Sequence, residues 1–112
     1  MALLTPTTVA DEGTTGTYAA MSASDTIDMN SVGDYGVLLV KGGSGSSTVT
    51  IIDSSKAATG NAAVSDSKSV PATTGHEMFR LRRAIADPTT GIITVTNSAP
   101  TGVTYLLLRV PV

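Results

Sequence analysis

Over most of the chain, apolar residues recur with a period of two in short runs separated by turn-forming residues, the pattern of strands rather than helices. Residues 47–53 (STVTIID) alternate, with Val49 and Ile51 on one side and Thr48, Thr50 and Ile52 on the other. Residues 77–82 (EMFRLR) do the same: Met78, Arg80 and Arg82 share one face, and Glu77, Phe79 and Leu81 the other. Residues 35–41 (YGVLLVK) are almost continuously apolar, which predicts a strand buried on both faces. Shorter strands are expected at 17–21 and 26–29, with Ile27 and Met29 facing away from Asp28, and longer ones at 91–96 and 103–110. Residues 54–69 hold little apolar anchoring apart from Val64 and read as a loop with one short edge strand.

Turn chemistry joins these runs. The glycine and serine stretch 42–47 predicts a hairpin between 35–41 and 47–53, its glycines supplying positive φ. Asp87-Pro88-Thr89-Thr90-Gly91 is a turn by composition, and residues 97–102 predict a second hairpin between 91–96 and 103–110. At most a short helical turn is expected, near 82–86. Seven or eight short strands and no alternation of strands with helices predict an all-β fold, an antiparallel β-sandwich or jelly roll. Residues 1–12 show no sustained periodicity and are expected as an extended N-terminal arm, with residues 13–112 forming a single β-sandwich domain.

Composition narrows the picture. The chain has 112 residues, 41% of them hydrophobic and 14% charged, enough apolar content for one folded domain with a modest core. Thr, Ser, Gly and Val dominate and the residues that populate helix surfaces are scarce, which again favours strands. The net charge of −2 offers no overall basic footprint for nucleic acid or an anionic membrane. With no cysteine, disulfides, thiolate chemistry and cysteine-ligated zinc are excluded. The N-terminus lacks the basic and apolar regions of a signal peptide, and no run approaches a membrane span. The chain therefore reads as soluble, with no cofactor and no nucleic-acid or membrane partner.

Candidate chemistry is sparse. The single histidine, His76, stands beside Glu77, but no HExxH follows and adjacent strand residues face opposite sides; it reads as an ordinary strand-edge histidine. Gly42-Gly43-Ser44-Gly45-Ser46 nearly matches G-x-S-x-G, yet its fifth residue is serine and its setting is strand to strand, so it is no nucleophile elbow. Asp25, Asp28 and Asn30 have a loose cation-loop spacing without the glycine and glutamate of an EF-hand. With no Trp, one Phe and three Tyr, stacking platforms for sugars are nearly absent. The expectation is a protein that is not an enzyme. What stands out is FRLRR: Arg80, Arg82 and Arg83 are three of only seven cations, and two of them share a strand face suited to carboxylate partners.

The whole-chain pattern resembles the small decoration, or cement, proteins of tailed bacteriophage capsids. The resemblance is carried by the Thr/Pro-rich start (LLTPTTVA), the Gly-Asp-led strand and its partner (GDYGVLLVKGGSGSSTVTI), the step Val70-Pro71-Ala72 and the closing segment DPTTGIITVTNSAPTGVTYLLLRV. It departs at FRLRRAIADP, which is more basic than the pattern. The resemblance implies a virion protein on the outer surface of the assembled head, made in the host cytoplasm, that binds the major capsid protein and ties capsomers together. A homotrimer is favoured by threefold positions on such a shell. Leu3, Leu4 and Pro6 of the arm are the first candidates for anchoring residues, followed by Arg80, Arg82 and Arg83, and deletion of residues 1–8 is expected to abolish shell binding while sparing the fold. The alternative class is a receptor- or glycan-binding β-sandwich module of a phage fibre or bacterial surface protein.

Overall fold

The computed structural model describes residues 2–10, 12–53 and 66–109. The fold is all-β. The strands are β1 (Ala2–Leu3), β2 (Pro6–Thr8), β3 (Ala19–Ala20), β4 (Ser24–Asp28), β5 (Tyr35–Lys41), β6 (Ser47–Ile52), β7 (Asp66–Val70), β8 (His76–Arg82), β9 (Ile92–Asn97) and β10 (Thr104–Arg109). They form two packed sheets. The first has the order β1-β4-β9-β6-β7; the second has the order β2-β10-β5-β8, with β3 also paired to β10. The shortest dimension of the molecule is 20 Å, the thickness of two sheets about 10 Å apart with their outer side chains.

Alternation places one face of each strand in the core. Ile27, Ile93, Val95, Val49 and Ile51 of the first sheet meet Leu38, Val40, Leu81, Phe79, Tyr105 and Leu107 of the second, all buried. The faces predicted for 47–53 and 77–82 are those observed. For 35–41 the expectation of burial on both faces is corrected: Gly36, Leu38 and Val40 are buried, Val37 and Leu39 are half-buried, and Tyr35 is exposed. Six apolar residues in a row distinguish neither sheet face, and here the outer one is only partly covered.

Both predicted hairpins are also corrected. β5 pairs with β10 and β8, whereas β6 pairs with β7 and β9, so the segment 42–46 crosses from one sheet to the other. Likewise β9 pairs with β4 and β6 while β10 lies in the second sheet. Among the described strands, only β6 and β7 are both consecutive and hydrogen-bonded neighbours. Period-two alternation fixes which face is buried but not which strand is the neighbour.

Residues 2–9 do not stand off as an arm. β1 runs parallel to β4 and β2 parallel to β10, so the segment closes the same edge of both sheets. Between them Leu4 is 3% exposed and belongs to the core. Its N–H donates to the Thr26 carbonyl at 2.8 Å, and the next N–H, of Thr5, donates to the Tyr105 hydroxyl at 3.3 Å. The start of the chain is therefore part of the domain that was expected to begin at residue 13.

Two short helical pieces complete the fold. α1 (Met29–Val32) starts at Asp28, whose carboxylate accepts from the Asn30 N–H at 2.9 Å, and ends at Gly33, with φ 103°. A 3-10 turn occupies Arg83–Ile85, where a helical turn was expected. The predicted turn at 87–91 is present: the Asp87 carboxylate accepts from the Thr89 N–H at 2.8 Å, and Gly91 takes φ 74°.

Candidate docking surface

The two outer faces of the molecule differ in chemistry. On the first sheet, the register lines up Ser24, Thr96, Thr50 and Ser67 in one row across four strands, with Thr26 beside Thr94 in the next. The Thr50 and Ser67 hydroxyls are 2.9 Å apart. This face is dominated by hydroxyl side chains, with the half-buried Ile52 and Ile92 toward one end.

The second sheet presents the opposite. Across β10, β5 and β8 the register places Leu106, Leu39 and Met78 in one row and Leu108, Val37 and Arg80 in the next, with Tyr35 opposite Arg82. Met78 is 73% and Tyr35 57% exposed. Leu106 is buried, with Gly16 packed on it so closely that a Cβ there would sit 2.6 Å from Leu106 Cδ2. The remainder forms an apolar strip rimmed by two arginines, the composition of a protein-binding patch. The Arg80 guanidinium lies 5.2 Å from the centre of the Tyr35 ring, a cation–π contact worth about 0.5–1 kcal/mol at an exposed site.

The six residues singled out from the sequence scatter across this framework. Arg80 and Arg82 are exposed and share the outer face of β8, as alternation predicted. Arg83 does not join them. Its Nε donates to Asp34 Oδ1 at 3.1 Å, one terminal nitrogen to Asn30 Oδ1 at 3.0 Å and the other to the Met29 carbonyl at 2.9 Å. It is a clamp holding α1 against the end of β8, not a free docking cation. Leu4 is in the core and is no free anchor, Pro6 is half-buried in β2, and Leu3 is 61% exposed on β1. The N-terminal strands border one edge of the molecule and β8 the other, so Leu3 and Pro6 are not brought together with Arg80 and Arg82.

The Arg83 clamp carries a prediction. Its ion pair is solvent-exposed at the Asp34 end and is screened by water, so Asp34→Asn costs less than about 0.5 kcal/mol. Arg83→Ala removes all three guanidinium bonds at once, including one of the two that the Met29 carbonyl accepts, the other coming from the Gly33 N–H at 2.8 Å, and should cost about 1–2 kcal/mol. Urea unfolding of both variants checks the difference; equal losses would mean that the ion pair, not the carbonyl bond, is what holds α1.

The remaining candidates have local roles. The Asp25 carboxylate is buried and accepts from the Ser22 N–H at 2.9 Å, and Asp28 caps α1. Among the described residues, no three His, Cys, Asp or Glu side chains gather into a metal site. His76 is exposed at the start of β8, with its Nε2 2.8 Å from the Tyr18 hydroxyl, and Lys41 Nζ lies 5.0 Å from the same tyrosine ring. Ser44 is exposed in the crossing between β5 and β6, with no helix after it. Alternation within 77–82 already put Met78 on the Arg80 and Arg82 face, but sequence reasoning missed Tyr35, Val37 and Leu39 as its neighbours on the surface; the signal was the register of β5 against β8, which no single-strand pattern contains. No protein-family model, curated protein or solved structure matches this chain.

Proposed function

We propose that this chain is a structural attachment protein, and specifically a decoration protein that binds the outside of an assembled tailed-phage head and stabilises contacts between capsomers. One observation carries the reading: the outer face of the second sheet is an apolar strip rimmed by Arg80 and Arg82, set on a thin two-sheet scaffold. A protein whose task is adhesion needs a rigid framework and one face chemically unlike the other. The resemblance of LLTPTTVA and the GDYGVLLVK and GIITVT segments to cement proteins supplies the shell as partner. Many copies on a symmetric lattice make even weak single contacts collectively strong. The proposed partner is the major capsid protein, the proposed location the virion surface and the proposed assembly a homotrimer.

Cosedimentation with expanded heads tests the reading. Wild-type protein should saturate the shell. The double variant Arg80→Glu/Arg82→Glu should bind about tenfold or more weakly, since each reversal turns a rim attraction into repulsion. Thr50→Ala/Thr94→Ala, on the hydroxyl face, should bind as wild type. Failure of the wild type to saturate heads, or equal binding by the arginine variant, would reject the proposal.

A further inference from the structure

Among the described residues the two sheets end side by side at β7 and β8. Among the described residues β8 pairs only with β5, and β7 only with β6. Two hydrogen bonds that continue the β5–β8 ladder fix which backbone groups are free. The Arg83 N–H donates to the Asp34 carbonyl at 2.9 Å and the Gly42 N–H to the Gly75 carbonyl at 2.8 Å. In an antiparallel ladder the bonded residues alternate, so the odd-numbered residues of β8 bond to β5. The N–H and C=O of His76, Met78, Arg80 and Arg82 therefore point to the unpaired side.

A groove of about 590 Å³ runs between this edge and β7, with Ile51, Phe79 and Ile85 among its lining. Lys68 of β7 and Arg80 and Arg82 of β8 also line it. Among the described residues none of these three cations is in an ion pair, the one such pair being Arg83–Asp34. By sequence the two bounding strands carry three cations, Lys68, Arg80 and Arg82, against two carboxylates, Asp66 and Glu77, the latter also lining the groove, so positive charge remains in excess.

We propose that the free edge of β8 is a strand-addition site for an extended acidic segment of a partner protein. Carboxylates at alternate positions of that segment face Arg80 and Arg82, and the apolar side chains between them fill the groove over Phe79 and Ile85. The pleat requires this spacing: residues opposite Met78, Arg80 and Arg82 share their outer face, and the intervening ones point inward. A second copy of β8 is disfavoured as occupant because it brings its own two arginines to the edge, the usual device against self-pairing. The inference deepens the attachment reading by naming the partner's chemistry, but it is tested without a shell.

The probe is a capped, fluorescently labelled eight-residue peptide of alternating Glu and Val, titrated into the full chain and read by anisotropy and by amide exchange at Met78 and Arg80. Binding should protect both amides. A peptide of the same composition in two blocks, an alternating Lys and Val peptide, and the alternating acidic peptide N-methylated on its β8-facing amides should each bind about tenfold or more weakly. Arg80→Glu/Arg82→Glu should lose a similar factor. Met78→Pro removes an edge-facing N–H that β5 does not use and should do the same; if that variant unfolds, the N-methylated peptide carries the test on unaltered protein. No binding, equal binding of the blocked or N-methylated peptide, or self-association that Met78→Pro abolishes would each overturn the proposal. Retained binding to heads by protein that ignores every peptide sinks strand addition alone, whereas peptide binding without head binding sinks the shell reading alone.

Discussion

Leu4→Ala is expected to destabilise the protein by about 2–4 kcal/mol, and Leu3→Ala, one residue away, by less than about 0.5 kcal/mol. The difference comes from burial: Leu4 is 3% exposed in the shared core and Leu3 61% exposed. The parallel ladders on either side are only two and three residues long, and pairs so short contribute little by themselves. Removal of the leucine side chain opens a cavity at the edge between the sheets, where, among the described residues of the segment 3–9, Leu4 alone belongs to the core. Against a total of about 5–15 kcal/mol for a small domain, this is a large share. Urea unfolding at constant m-value measures it. Equal, negligible losses for the two variants would mean that the chain start is a free arm. The same argument changes the meaning of a truncation: deletion of residues 1–8 removes Leu4 and the edge strands β1 and β2, so any loss of shell binding would follow from damage to the fold as much as from loss of an anchor.

How much could be read from the residues follows from what alternation encodes. In 47–53 and 77–82 every face was legible, because one polar side chain between two apolar ones decides the matter locally. The pairing of these strands was not, because the same inward face serves a hairpin or a crossing to the opposite sheet. The run YGVLLVK gave no face at all, and its exposed side is set by which strands lie beside it: Leu39 between Met78 and Leu106, Val37 between Arg80 and Leu108. The candidate site was half legible for the same reason. Arg80 and Arg82 lie two apart on a strand and share its face by geometry, but Arg83 follows where the strand gives way to a 3-10 turn, and its three partners come from segments about 50 residues earlier. The helix α1 was missed although Asp28 and Gly33 are a cap at each end; four residues carry too little periodicity to register.

Gly43→Ala is expected to cost about 2–3 kcal/mol, while Gly45→Ala, two residues along the same loop, is neutral or stabilising by about 0.5 kcal/mol. By composition both glycines belong to one flexible, left-handed turn, but neither has positive φ. Gly43 is required for want of space. A Cβ there would overlap the Thr101 carbonyl oxygen and sit 2.6 Å from the Gly102 carbonyl carbon, both backbone atoms that cannot turn aside, whereas Gly45 faces open space. The topology explains the crowding. The connections β5 to β6, β7 to β8 and β9 to β10 all cross between the sheets, and residues 42–43, 71–75 and 101–103 meet where they do so. The Thr73 N–H donates to the Gly43 carbonyl at 2.8 Å, and a Cβ on Gly42 or Gly75 would overlap the Pro71 carbonyl oxygen. Three backbone crossings stack against one another with no side chain between them, a contact that tight hairpins at 42–47 and 97–102 would not produce. Chemical denaturation of the two alanine variants therefore tests the strand topology itself: equal tolerance at 43 and 45 would mean that the segment is the solvent-exposed hairpin its composition suggests, and that β5 and β6 lie side by side in one sheet.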